Sequence, residues 1–167
     1  MQHTLAVVVE DRPGVLARVS AMFSNRGFNI HSLAVGPTHE EGRSRITLVV
    51  DAPELEQFKK QLHKLINVIK VLELEPSEAL ESEVMIVRVA CDPANRGEVG
   101  DTAALFGARM IDLAPKSMTF EVSGTPAHLA AFVEQVRPYG IIELVKSGRI
   151  AVKKLSELSP TLVGGQR

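Results

Sequence analysis

The chain has 167 residues, of which 45% are hydrophobic, 23% charged and 4% aromatic, and its net charge is −1. This is the composition of a folded globular chain, and the length admits one domain or two small ones. A balanced charge gives no basic footprint for nucleic acid or an anionic membrane, and so few aromatic rings make no stacking platform for single-stranded nucleic acid.

No apolar run approaches the length needed to span a bilayer, and MQHTLAV lacks the charged start of a signal peptide. The single Cys91 lies inside the apolar run VMIVRVAC, with no neighbouring His or helix start to activate it. It reads as a buried strand thiol in a cytoplasmic protein.

The first predicted element is LAVVV (5–9), short, continuous and β-branched, as a strand buried on both faces would be. Val15, Leu16, Val19, Met22 and Phe23 then fall on one face of a helix. Asn25-Arg26-Gly27 ends it, with Gly27 suited to a left-handed cap. NIHSLAVG and SRITLVVD read as strands flanking a loop around PTHEEGR, with Ile46, Leu48 and Val50 sharing a face. Leu55, Phe58, Leu62, Leu65 and Ile66 return to helical spacing, and VIKVLELE closes the unit as a strand. The order strand, helix, strand, strand, helix, strand is the split βαβ plan: an antiparallel sheet with both helices on one face.

PSEALESE (76–83), rich in acids and opened by Pro, breaks the pattern and reads as a linker, set at 77–83 between the two domains. The plan then recurs, its first strand about 80 residues after that of the first unit. VMIVRVAC reads as a strand, ANRGEVGDTAALFG as a helix, and RMIDLA and KSMTFEVSG as a strand pair. PAHLAAFVEQVRPYG, with Leu129, Phe132, Val133 and Val136 on one face, is the second helix, and IIELVKS ends the unit. The fold class is therefore α+β, two ferredoxin-like βαββαβ domains in tandem, spanning 1–76 and 84–160, with a flexible tail at 161–167.

Chemistry is sparse. There is no GxGxxG, P-loop or CxxC, and the five histidines lack metal-ligand spacing, so neither a metal site nor a catalytic residue is expected. What remains is the hinge EDRPGVL between the first strand and its helix. Asp11 could cap the helix, with Pro13 setting φ in the first turn, and nothing need bind. Alternatively the amides of Gly14, Val15 and Leu16, at the positive end of the helix dipole, could receive a carboxylate, with Gly14 allowing close approach. An α-amino acid would also need an acceptor for its ammonium, which Asp11 or Asn29 could supply. Asn29 could equally just finish the turn after Gly27-Phe28.

EDRPGVLARVSAMFSNRGFNIHSLAVGPT resembles the N-terminal ACT domain of the acetohydroxyacid synthase (acetolactate synthase) small, regulatory subunits. KQLHKLINVIKV, VMIVRVACD, GARMIDL and YGIIELVKSGRIAV extend the resemblance over nearly the whole chain. It implies a subunit with no catalysis of its own, partnered by a catalytic large subunit that would carry thiamine diphosphate, Mg and FAD; no cofactor is expected on this chain. It also implies a homodimer through the ACT domains, activation of the large subunit, and feedback inhibition by valine, leucine or isoleucine in branched-chain amino acid biosynthesis. Carried over by position, the effector site is Asp11, Gly14, Val15 and Leu16 on one side and Asn29 and Ile30 on the other, often from the partner chain. Many members have Asn where this chain has Asp11, which could pair with the effector's ammonium but would repel its carboxylate. Two other classes stay open: a stand-alone ACT-type amino-acid sensor with a different partner, and a small enzyme using Asp11 or His31 as base, although no nucleophile, metal set or cofactor fingerprint accompanies either residue.

Overall fold

The computed structural model describes residues 2–155, so the expected tail at 161–167 lies outside the described residues. The chain divides into two compact units, one of residues 2–31, 35–80 and 151–155 and one of residues 32–34 and 81–150.

The first sheet and its helices are built from β1 (Gln2–Glu10), α1 (Val15–Ser24), β2 (Ile30–Pro37), β3 (Arg43–Asp51), α2 (Leu55–Leu62) and β4 (Val68–Leu74). Strand order is β2-β3-β1-β4, with β1 antiparallel to both neighbours, from Gln2 opposite Asp51 to Glu10 opposite Arg43 on the β3 side. One face of the sheet carries Leu5, Val7 and Val9 with Ile46, Leu48 and Val50, and these pack with Val15, Val19 and Phe23 of α1 and Leu55, Phe58 and Leu62 of α2. Phe58 joins the two helices, its ring 4.3 Å from that of Phe23 and 5.5 Å from that of Phe28. Burying a side chain of this size is worth about 1.5–3 kcal/mol, so this face drives the unit's folding. Gly27, at φ 68°, closes α1 as expected: its N–H donates to the Ser24 carbonyl and that of Phe28 to the Phe23 carbonyl.

Ile66 departs from the expected helical face and is 93% exposed. Tight turns replace the helix after Leu62, with the Lys64 N–H donating to the Gln61 carbonyl and that of Leu65 to the Leu62 carbonyl. Leu65 still reaches the core, but the change of pitch turns Ile66 outward.

The double-faced burial of LAVVV has a specific cause. Ala6, on the face away from the helices, packs with Leu74, Ala79 and Ala151. Ala151 belongs to a strand near the end of the chain that had no counterpart among the expected elements.

The second sheet comprises β5 (Ala79–Ala90), β6 (Arg109–Ala114), β7 (Ser117–Gly124) and β8 (Ile141–Lys146) in the order β6-β7-β5-β8, with β9 (Ile150–Lys153) also pairing β5. Its helices are α3 (Arg96–Leu105) and α4 (Pro126–Val136), followed by a 3₁₀ turn at Arg137–Tyr139. Met85, Val87 and Val89 of β5 and Met118, Phe120 and Val122 of β7 meet Val99 and Ala103 of α3 and Leu129, Phe132 and Val136 of α4. Cys91 is buried in the same cluster. Thr125 caps α4 by accepting from the His128 N–H at 3.2 Å, with Pro126 in the first turn. β5 begins at Ala79, inside the stretch read as a linker. Its acids are not all solvated, since Glu83 is buried, and Ala79 packs with Ala6. Both units thus follow the expected plan.

Candidate functional site

The hinge between β1 and α1 is held from below. The Glu10 N–H donates to the Asn67 carbonyl at 2.9 Å, and the Asp11 N–H to the Gly42 carbonyl at 2.8 Å. Asn67 Nδ2 donates to Glu10 Oε2 at 2.7 Å, while its Oδ1 accepts from Arg18 Nη2 at 2.6 Å. Arg12 Nε lies 3.2 Å from the same Glu10 oxygen. The loop is therefore tied to the ends of β3 and β4 and to α1.

Asp11 does not cap the helix. The N-cap is Gly14, at φ 81° and ψ −5°, and no side chain bonds the first-turn amides. The left-handed backbone at Gly14 makes the turn by itself, which leaves Pro13 outside the helix and Asp11 exposed three residues before the cap. Val15 faces inward as part of the core; its N–H makes a long contact, 3.4 Å, back to the Arg12 carbonyl. Leu16 faces outward, 40% exposed, in a first turn whose amides lack intrahelical acceptors. The positive end of α1 thus opens to solvent at Gly14 and Leu16.

Asn29 and Ile30 lie elsewhere. The Asn29 carbonyl accepts from the Asp51 N–H at 3.3 Å, which places it at the Gln2 end of β1. The Asp11 loop, bonded to Gly42, lies at the Glu10 end. Eight strand steps separate these ends, roughly 27 Å at 3.4 Å per residue. No single amino acid spans that gap. Within one chain the structure brings together Asp11, Gly14, Val15 and Leu16, and separately Asn29 and Ile30, but not the two groups.

Around Asn29 the side chains form a polar relay. His31 Nε2 is 2.5 Å from Asp51 Oδ2, and Asn29 Nδ2 is 3.5 Å from His31 Nδ1. With the ring proton on Nε2 facing the carboxylate, Nδ1 is an acceptor and draws the Asn29 amide nitrogen toward it. The Asn29 side-chain oxygen, Oδ1, is then on the side away from His31, where it can accept from a cation. The His31 hydrogen bond holds the Asp51 carboxyl below the usual carboxylate range. Ile30 is partly buried against the first core, which anchors the start of β2.

A model of the "AHAS small subunit-like ACT domain" family matches residues 5–70, and one of the "Small subunit of acetolactate synthase" family matches residues 82–155. The chain is 48% identical over 155 residues to the acetolactate synthase small subunit of Mycolicibacterium smegmatis, covering 91% of each protein.

The chain belongs to the acetolactate synthase small-subunit family.

Another relative, a probable acetolactate synthase small subunit of Archaeoglobus fulgidus, is 45% identical over 91% of this chain and 96% of its own length. The crystal structure of the acetolactate synthase small subunit from Thermotoga maritima superposes with a TM-score of 0.85 at 28% identity, covering 92% of this chain and 98% of that one. This family member carries its ACT domain first, as the hinge motif and the strand order imply.

Two features of this small subunit's first unit lay outside sequence reasoning. Glu73 of β4 accepts from Lys59 Nζ at 2.8 Å and lies 3.1 Å from His3 Nδ1, with Glu56 on the far side of Lys59. The Lys59 hydrogen bond, aided by His3, lowers the Glu73 pKa, and Glu56 and then Glu73 raise that of Lys59. The second feature is the Asn29–His31–Asp51 relay. The alternating strand pattern offered its only signal, placing His31 and Asp51 on the same face of neighbouring strands. Among the described residues, no group of three or more His, Cys, Asp or Glu side chains is placed to hold a metal ion.

Proposed function

We propose that this chain is a regulatory subunit that binds a branched-chain amino acid between two copies of its ACT domain, activates a catalytic large subunit and passes feedback inhibition to it. The supporting observation is the separation of the two halves of the site along one sheet. β2 is an edge strand, running from the Asn29 end of the sheet to the end carrying the hinge. A second copy laid antiparallel against it about a two-fold axis brings its own Asn29 to the first copy's hinge, and the reverse. Each dimer then has two sites. In each, the Gly14 and Leu16 amides receive the effector's carboxylate, and Asp11 with Asn29 of the second copy receives its ammonium. Leu33 and Val35 on β2, 38% and 48% exposed, supply apolar area for such pairing.

The catalytic partner, cytoplasmic like this chain, carries the thiamine diphosphate, magnesium and FAD. This chain contributes binding and coupling alone. An effector shifts the complex only by its differential affinity for two arrangements, typically about 1–3 kcal/mol.

The test is a thermal-shift titration of the purified chain with valine, leucine and isoleucine, beside measurement of its mass in solution. At about a hundred times Kd, one of the three stabilises the fold by about 2.7 kcal/mol. A monomer that none of them stabilises refutes the reading. Activity of the co-purified catalytic subunit, with and without that amino acid, tests the coupling.

A further inference from the structure

The face of the first sheet away from its helices carries a cavity of about 480 Å³ lined by Val8, the 37–40 turn, Arg43, Arg45, Ile69 and Lys70. Val8 of β1 is its floor, flanked by Arg45 on β3 and Lys70 on β4, which both pair directly with it. Two strand spacings put these two residues' backbones roughly 10 Å apart, with long cationic side chains rising on either side of a small apolar one.

Three permanent cations line this cavity against a single carboxylate, Glu40. That carboxylate is already paired with Arg43. Arg45 donates through Nη2 to the Ala151 carbonyl at 2.7 Å, which fixes the guanidinium without neutralising it. Burial lowers its pKa, and no carboxylate contributes to the shift. Lys70 makes no ion pair among the described residues.

The backbone is adapted at the same place. The β1–β4 register shifts between Val8 and Val9, where Val8 pairs with Lys70 but Val9 with Val68, so Ile69 is an inserted residue. In a regular strand, successive side chains point to opposite faces; across this bulge both Ile69 and Lys70 line the cavity.

We propose that this cavity is a second ligand site, taking a phosphate-like oxyanion between Arg45 and Lys70 over Val8. The ligand is inorganic phosphate or the phosphoryl group of a small metabolite, since both present the same tetrahedral, doubly charged group. The site lies on the sheet face opposite α1, uses none of Asp11, Gly14, Leu16 or Asn29, and stands apart from the amino-acid reading.

The experiment is calorimetric titration of the full chain with inorganic phosphate, pyrophosphate and glycerol phosphate at constant ionic strength. Lys70 is exposed, so Lys70→Met and Lys70→Arg will both fold. Saturable binding of at least one probe is expected, weakened about tenfold or more by Lys70→Met and largely kept by Lys70→Arg. Preference for inorganic phosphate identifies the free ion as the ligand, and equal or tighter binding of glycerol phosphate identifies a metabolite's phosphoryl group. Absence of saturable binding by all three probes, or equal affinities in wild type and Lys70→Met, overturns the proposal.

Discussion

The hinge allows a substitution pair that separates charge from backbone strain. Gly14 sits at φ 81°, so any side chain there must accept a left-handed backbone, costing roughly 1–2 kcal/mol for most residues and less for Asn and Asp. Space is not limiting: a Cβ would lie 3.8 Å from Arg18 Nη1, an ordinary contact. Gly14→Asn and Gly14→Asp should therefore fold alike, each destabilised by about 1 kcal/mol, or about 4–8 °C in Tm for a unit of 60–100 residues. They differ by one charge. If the effector's carboxylate binds at the first turn of α1, the new Asp brings a like charge within about 5 Å of it. In an effective dielectric between that of a protein surface and bulk water, that repulsion is about 1–3 kcal/mol. Calorimetric titration with valine, leucine and isoleucine should thus show Gly14→Asp binding about 5- to 150-fold more weakly than Gly14→Asn. Equal affinities for the two variants, within about twofold, would mean that no carboxylate binds at this turn.

Three further outcomes follow from the packing and charge of the first unit. Asn29→Leu removes the acceptor that the His31 contact turns outward, and should weaken effector binding by roughly 1.5–3 kcal/mol while Tm barely moves; a large fall in Tm with unchanged affinity would make Asn29 a turn residue only. The lowered Glu73 pKa contributes stability that is complete above the unfolded glutamate value of about 4.3 and is lost as pH falls through the folded value, so Glu73→Gln should flatten the acid limb of a Tm-against-pH curve; an unchanged limb refutes the linkage. Ala151→Asn buries an unpaired amide against Ala6 and Leu74 and should cost about 1–3 kcal/mol, whereas Val152→Asn, on an exposed neighbour, should stay within about 0.5 kcal/mol; equal melting curves would show that β9 does not support the first unit.

What the sequence disclosed was local in its physics. The apolar spacing of Val15, Val19 and Phe23, the left-handed Gly27, and the alternation of Ile46, Leu48 and Val50 each depend on neighbours a few residues away, and each matches the structure. Features that depend on distant chain were hidden. Ala79 and Ala151 become a lid over Ala6 only through contacts 73 and 145 residues away in sequence, and neither the acidic PSEALESE nor the short IAVK announces them. An acid ahead of a helix, as at Asp11, suits a cap, yet the left-handed Gly14 makes one unnecessary. Ile66 kept helical spacing on paper, but the helix had already tightened and ended. The candidate site was legible as residue types and illegible as geometry: nothing local to Asn29 says that it lies a full strand length from the hinge. Arg45 and Lys70 gave no motif at all, because only pairing with Val8 makes them neighbours.

The seating of Ala151 beneath the first sheet also sets a schedule for the ribosome. By the time Ala79 has been added, every strand and helix of the first sheet has been synthesised, yet the residue that covers Ala6 and Leu74 is still 72 positions away. At about 5–20 residues per second the nascent unit waits roughly 4–14 s with that apolar patch uncovered. A chain that stopped short of Ala151 would lack this cover over Ala6 and Leu74 and keep the patch exposed.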